Sequence, residues 1–415
     1  MKRLVDRKEI LFFLLLPYLK PGSLKYILPE WEDSLNILRI VAAIIAVILY
    51  IKYIVLKKEK VWFCLFLCLW QTVFFISTLV NEKDIYTLII QVVSIATFCM
   101  LTEVCIRENA KVFFSSLFYL LFMLIGINFV LLLQYPKGIA VVEYYYYPVN
   151  FLGIDNLLSP ILIMSMVCSF LFMWYGGNKI LAYILNIVSM LTAAIMWSAT
   201  GIVCMMVFIL LLLFTCRIFW RKILNPLWTY TGIIAVNIMI IFMNIQNFFV
   251  SFITEFLGKN LTLSGRVEMW KQAVNMIKQK WLLGYGISNG HGYIFWRGKF
   301  YYTHNGILEV LIQGGILALV MFIMMIAAQT INLYKYRANK VEAVLLAGNM
   351  ANMVGLLAEA YITQIPIYAL MVFGYNIEQI IEQMEGGVEK NNLHIRILFP
   401  KFKIMGKKRV SSNEK

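Results

Sequence analysis

Arg266 and His304 are the side chains in this chain best suited to chemistry. They bracket a stretch that reads RVEMWKQAVNMIKQKWLLGYGISNGHGYIFWRGKFYYTHNGILEVLIQGG from Arg266 to Gly315. Arginine presents planar paired donors that fit phosphate. An arginine in the first turn of a helix adds to backbone N–H groups that already favour an anion. Imidazole titrates near neutrality, which suits a general base. No HExxH or paired-aspartate motif occurs, and no Walker or dinucleotide glycine pattern follows a strand. The chemistry expected is therefore an anion grip with a base, without metal, nucleotide or other cofactor.

The elements that must position these groups can be read from spacing. Ser264 to Trp281 reads as a helix, with Val267, Trp270, Val274, Ile277 and Trp281 on one face at steps of three and four. Ser264 fits its N-cap. Lys271, Gln272 and Lys278 lie off the stripe, a pattern suited to a helix lying at a membrane interface. Arg266 then reads in two ways, as a phosphate grip or as a solvated arginine on an interfacial helix. Gly284-Tyr285-Gly286 ends the helix. A glycine–aromatic tract follows to Gly298, carrying His291 as a lesser base candidate. His304-Asn305 stands at the mouth of the next apolar span, His304 reading as a base or as an interfacial histidine with a structural bond. Asn305 and Glu309, four apart, share a face. Glu309 lies just inside the span, where an acid is costly unless it meets a polar cavity or a partner.

The rest of the chain is membrane-like. Of 415 residues, 61% are hydrophobic and 14% charged, against about 45–50% and about 25% in soluble domains. The expected fold is all-α and polytopic, with about twelve transmembrane helices. The expected spans are 10–27, 35–56, 61–80, 85–105, 112–134, 157–175, 180–197, 202–215, 227–245, 305–330, 341–357 and 362–381. One large external loop, 246–303, separates the ninth from the tenth, and a basic tail runs from 382 to 415. Basic clusters at Lys2–Lys8, Lys57–Lys60, Arg107–Lys111, Arg217–Lys222 and Lys335–Lys340 fall on one side, which places both termini in the cytoplasm. No cleavable leader is read at the N-terminus, and the whole is expected to be one integral-membrane domain. The net charge of +15 belongs to topology and not to nucleic-acid binding. The seven cysteines lie in apolar segments and read as small membrane hydrophobes. The external loop carries seven basic residues against Glu255 and Glu268, an excess that an anionic ligand would explain.

Ser264-Gly265-Arg266, Trp270, Gly284-Tyr285-Gly286, His304-Asn305, Leu308-Glu309 and Gly314-Gly315 together resemble the signature of the O-antigen polymerase and ligase family. The resemblance implies a GT-C-like fold and a metal-independent, inverting glycosyltransferase in the bacterial cytoplasmic membrane. It would act at the outer face on glycans carried by undecaprenyl pyrophosphate, in O-antigen, capsule or exopolysaccharide biosynthesis. Flippase and chain-length regulator proteins are the associated partners, besides membrane lipids. By the same resemblance Arg266 holds the pyrophosphate and His304 binds or deprotonates the acceptor hydroxyl. Trp270, Lys271, Tyr285, Arg297, Asn305 and Glu309 are the expected substrate contacts. The chain departs from many members at Ser198-Ala199-Thr200-Gly201, where they carry an arginine. Lys271 or Arg297 is expected to supply that grip. The tyrosines of Glu143–Tyr147 read in two ways, as a sugar platform or as the aromatic residues common at a membrane interface. Polymerase is preferred; a ligase shares the signature, and a transporter without catalysis is the reading from another class.

Overall fold

The computed structural model describes residues 4–144, 146–215, 224–243, 265–288, 291–337 and 339–389. Ser264, most of the first half of the expected external loop and the tail beyond 389 lie outside them. The described chain is helical apart from two small hairpins. Among the described residues, six helices are long and apolar enough to cross a membrane, and four shorter apolar helices accompany them.

The N-terminal segment differs from the expected span at 10–27. It contains α1 (Lys8–Leu15), a 3-10 turn at Leu16–Tyr18 and one more helical turn at Leu24–Ile27. Pro17 and the Pro21-Gly22 pair interrupt the helical bonding. The segment is nonetheless packed inside, with Leu11, Leu15 and Tyr18 buried. Next come α2 (Pro29–Tyr50) and α3 (Trp62–Val80).

The expected spans 85–105 and 112–134 form one helical run, α4 (Ile85–Gln134), interrupted by an extended residue at Asn109 (φ −159°, ψ 78°). A straight helix of that length would measure about 75 Å, more than twice a bilayer core. It is folded back on itself at Asn109. Tyr18 bonds Thr97 at 3.0 Å, while Gly22, four residues on, bonds Leu152, whose own amide donates to Asn128. In a straight helix Thr97 and Asn128 would stand about 46 Å apart, beyond the reach of those four residues. The Asn109 side chain caps the second half by accepting from Val112 N–H at 3.2 Å. Arg107 ties the turn together, donating to Glu103, to the Lys60 carbonyl and to Asn376.

The hairpin of β1 (Ala140–Val142) and β2 (Tyr147–Val149) follows. Then come α5 (Ser159–Trp174), α6 (Lys179–Ile195), α7 (Ala199–Thr215) and α8 (Pro226–Met243). The site region contributes α9 (Arg266–Gln279) and the hairpin of β3 (Ile294–Trp296) and β4 (Lys299–Tyr301). Last are α10 (Gly306–Lys335), α11 (Lys340–Ala358), α12 (Ile365–Tyr375) and α13 (Ile377–Glu389). The expected last span, 362–381, is thus divided between α12 and α13.

α3 packs along α10, and α7 along α11. α11 sits at the centre, with 89% of its apolar window buried, whereas only 22% of that of Pro29–Val55 is covered. Ile37, Ile40, Ile44 and Ile48 of α2 remain exposed. Such a face is at home in lipid and not in water.

Candidate active site

α9 begins at Arg266, and Gly265, one residue after the expected N-cap, takes the N-cap position with φ +92°. Its buried face is Met269, Trp270 and Ala273, which join Ile294, Leu308 and Ile312 in a small core separate from that of the bundle. Trp281, placed on the stripe by spacing, lies beyond the helix and is exposed. This small core seats α9 on β3 and on the first turns of α10.

The chain after α9 is fastened to α10 through backbone groups. Tyr285 and Gly286 donate to the carbonyls of Ile312 and Gln313, at 2.7 and 2.9 Å, and Ile316 donates back to Trp281 at 2.8 Å. α10 breaks at Gly315 (φ +63°) to allow this. A Cβ on Gly284 would lie 2.4 Å from the Ile312 oxygen, and one on Gly315 would lie 2.2 Å from the Leu282 oxygen. A Cβ on Gly286 would lie 2.7 Å from the Thr78 Cα of α3. Ser77 donates to the Gln313 carbonyl at 2.8 Å, and Thr78 accepts from Ile287 N–H at 3.1 Å. The two glycine motifs therefore let three segments meet backbone to backbone, a role their spacing alone does not reveal.

This scaffold aims a short turn at the site. Trp270 Nε1–H donates to the Thr303 carbonyl at 2.9 Å. Thr303 N–H donates to Glu309 Oε2 at 2.8 Å, and Gln313 donates to the other Glu309 oxygen at 2.6 Å. Asn305 caps α10 by accepting from Ile307 and Leu308, and its amide donates to the Leu357 carbonyl at 3.2 Å. His304, held between these two anchored residues, has φ +50°. A left-handed conformation is costly for a residue other than glycine and persists only where its surroundings impose it.

The imidazole meets a carboxylate the sequence did not single out. His304 Nδ1 lies 3.0 Å from Glu359 Oε2, and Arg266 Nη2 donates to Glu359 Oε1 at 2.6 Å. Glu359 is the residue just past α11, and its side chain is only 4% exposed, against 26% for His304 and 17% for Arg266. Burial alone would raise the Glu359 carboxyl. The guanidinium and the imidazole outweigh that, and it titrates below the usual carboxylate value. An ionised carboxylate only accepts, so Nδ1 carries the proton and Nε2 of neutral His304 keeps its lone pair for a substrate. The arrangement holds a base in one tautomer beside a fixed cation. Among the described residues, no group of three or more His, Cys, Asp or Glu side chains is placed to hold a metal ion.

The other expected contacts fall into two groups. Trp270, Asn305 and Glu309 are buried and bonded as described, so they shape the His304 turn from behind. Tyr285 donates to the Met276 carbonyl and lies in the latch. Lys271 points outward, 3.8 Å from Glu268. Arg297 stands at the tip of β3–β4, its guanidinium 4.2 Å from the centre of the Trp296 ring. That indole presses on Gly265, where a Cβ would lie 2.2 Å from its edge. Of the two candidates for the missing arginine's role, Arg297 is the one connected to the Arg266 corner. His291 stacks on Tyr144, centroids 4.2 Å apart, and not on the Glu359 carboxylate.

The Ser198–Gly201 turn reaches the same corner without a charge. Ser198 donates to the Asn156 side chain at 3.1 Å, and Tyr361 donates to the Asn156 carbonyl. Tyr361 stands two residues from Glu359, and burial pushes its phenol well above the usual range. Tyr147 of β2 completes the rim. Its phenol is raised by burial and by Tyr301 and Glu359, and drawn down by Arg266.

A family model described as O-antigen ligase matches residues 158–323. No curated protein and no solved structure matches the chain. The matched stretch includes Arg266, His304 and both glycine motifs, and it stops short of Glu359. Over that stretch the chain is similar to the O-antigen ligase family, in agreement with the resemblance read from its motifs.

Proposed function

We propose that the protein polymerises oligosaccharide repeat units carried on undecaprenyl pyrophosphate, at the outer face of the bacterial cytoplasmic membrane. The observation that carries this reading is the Glu359 carboxylate shared between Arg266 and His304. His304 Nε2 takes the proton of the acceptor hydroxyl as its oxygen attacks the anomeric carbon of the donor. The bond from that carbon to the pyrophosphate oxygen breaks, and the lipid pyrophosphate leaves with the electron pair. One-step displacement inverts the anomeric configuration, and the proton on His304 passes to solvent. Arg266 stabilises the charge on the leaving group with the N–H donors that Glu359 leaves open. Glu359 fixes the histidine tautomer and stabilises the imidazolium that forms, as a carboxylate does behind the histidine of other acyl- and group-transfer sites.

The description of the matching family favours a second reading, transfer of a finished glycan to another acceptor by the same chemistry. Both readings place the reacting groups at the membrane surface, where a lipid-borne pyrophosphate lies. The test is complementation of a deletion strain with His304→Ala or Arg266→Ala. Both variants are expected to reach wild-type membrane levels and to make no long-chain polysaccharide. Long chains in both variants would refute the assignment. The lipid-linked pool of the deletion strain separates the readings: single repeats accumulate if the missing step is polymerisation, and long chains accumulate if it is ligation.

A further inference from the structure

The two hairpins come from segments more than 140 positions apart in the chain, yet they interlock above the Arg266 corner. Lys299 Nζ donates to the Tyr144 carbonyl at 2.5 Å, and the amide of Phe300 donates to the Tyr144 hydroxyl at 3.3 Å. The same ammonium lies 5.4 Å from the Tyr144 ring centre and 5.2 Å from that of Tyr146. Cation–ring contact of this kind holds an aromatic face in place while leaving its other side open. Tyr146 is 78% exposed. The Trp296 indole, with Arg297 on it, joins this surface to Gly265 and so to Arg266.

The tips of both hairpins carry side chains their backbones disfavour. The β3–β4 turn is Arg297-Gly298, with φ +49° and +80°. A two-residue turn with both φ positive is best served by Asn-Gly. The last loop residue between β1 and β2 is Tyr146, with φ +57°. Glycine or asparagine fits that conformation at lower cost than a large aromatic residue. Fold alone does not select an exposed tyrosine and an exposed arginine at those two positions, and strained positions of this kind gather at ligand sites.

We propose that the joined hairpin tips form the subsite that receives the sugar rings of the lipid-linked substrate, with Tyr146 as the stacking face and Arg297 as donor to sugar hydroxyl or carboxylate groups. A pyranose ring presents C–H groups on one face and hydroxyls at its edge. A tyrosine ring flanked by cations offers complements to both, an apolar face and polar reach. The anionic leaving group needs Arg266, whereas the sugars extend away from the lipid, and both hairpins lie in connections between helices and not within the apolar spans. This inference rests on the glycosyl-transfer reading above and concerns binding alone.

The test uses full-length protein in nanodiscs and, as probe, the oligosaccharide released by mild acid from the producing cells' own lipid-linked pool. Tyr146→Asn and Arg297→Asn suit the positive φ, so the hairpins are retained while the side chains are removed. Each is expected to weaken oligosaccharide binding at least fivefold, and the double variant to abolish it. Tyr146→Phe is expected to bind as wild type, since it keeps the ring. His304→Ala is expected to make no polymer. Wild-type affinity in the double variant would overturn the proposal, and so would failure of the wild-type protein to bind the probe at millimolar concentration. In the first case the hairpins serve the membrane interface instead. Failure of the glycosyl-transfer reading shows separately, as polymer made by His304→Ala.

Discussion

Glu359 has one oxygen for each partner, and the behaviour of the site turns on that division. Glu359→Gln keeps the shape but has one acceptor atom for two donors, and it leaves Arg266 without a counter-charge. Product formation in this variant is expected to fall roughly 100-fold or more at unchanged membrane level, the scale of general-base and tautomer effects. Polysaccharide length and yield in complemented cells would measure it. The same carboxyl carries a pH signature. Its folded value lies below the ordinary 4.5, so between the two values the unfolded chain binds the additional proton. Its contribution to stability is complete above about pH 4.5 and is lost as pH falls through the lowered value. Thermal unfolding in detergent is expected to become steeply acid-sensitive there, and Glu359→Gln to flatten that dependence. An equally steep profile in the variant would assign the acid sensitivity elsewhere. Arg266 and His304 are legible in the sequence because their types and order suggest anion and base. Glu359 is not, because it stands alone after an apolar helix, 55 positions from His304. Spacing directs attention to Glu309, whose position just inside a span does imply a partner. That partner is the Thr303–Gln313 frame.

Among the elements, the latch between the 281–286 segment and the break in α10 sets the geometry of the site. Gly315→Ala combines a positive φ with a Cβ 2.2 Å from a backbone oxygen, and Gly284→Ala does the same at 2.4 Å. Each is expected to cost roughly 3 kcal/mol or more, since neither strain nor contact can relax through a side chain. Gly126, inside α4, is the control, because an added methyl group there would meet nothing within 4 Å. Gly126→Ala is expected to change stability by about 1 kcal/mol at most. Melting temperatures of the three purified variants would check this, with the first two well below wild type. The sequence marks these glycines as helix ends. It does not show that they admit a neighbouring backbone, because that neighbour is distant in the chain for Gly286 and Thr78. The period of α9 does reveal a helix. Its buried face is centred on Met269, Trp270 and Ala273 and does not reach Trp281, because the small core beneath it is only a few turns long.

For the whole molecule, hydropathy shows where apolar chain lies but not where it turns. The charges at Arg107 and Lys111 imply the hairpin at Asn109, and the links of Tyr18 to one arm and of Gly22, through Leu152, to the other require it. Lys20-Pro21-Gly22 marks the break in the N-terminal segment, which is apolar like a span but packed like a plug. The folded arrangement predicts sidedness. In a cysteine-free background, Lys83→Cys and Lys137→Cys should react with an impermeant thiol reagent from the same side, and Lys111→Cys from the opposite side. Labelling of positions 83 and 137 from opposite sides would contradict the hairpin. The central claim, that Arg266, His304 and Glu359 together perform glycosyl transfer, is tested most directly in liposomes containing only the purified protein and its undecaprenyl-pyrophosphate-linked oligosaccharide. Wild-type protein is expected to release undecaprenyl pyrophosphate in step with growth of the glycan, and His304→Ala to release none above the protein-free rate. Release and chain growth by His304→Ala at the wild-type rate would contradict the account.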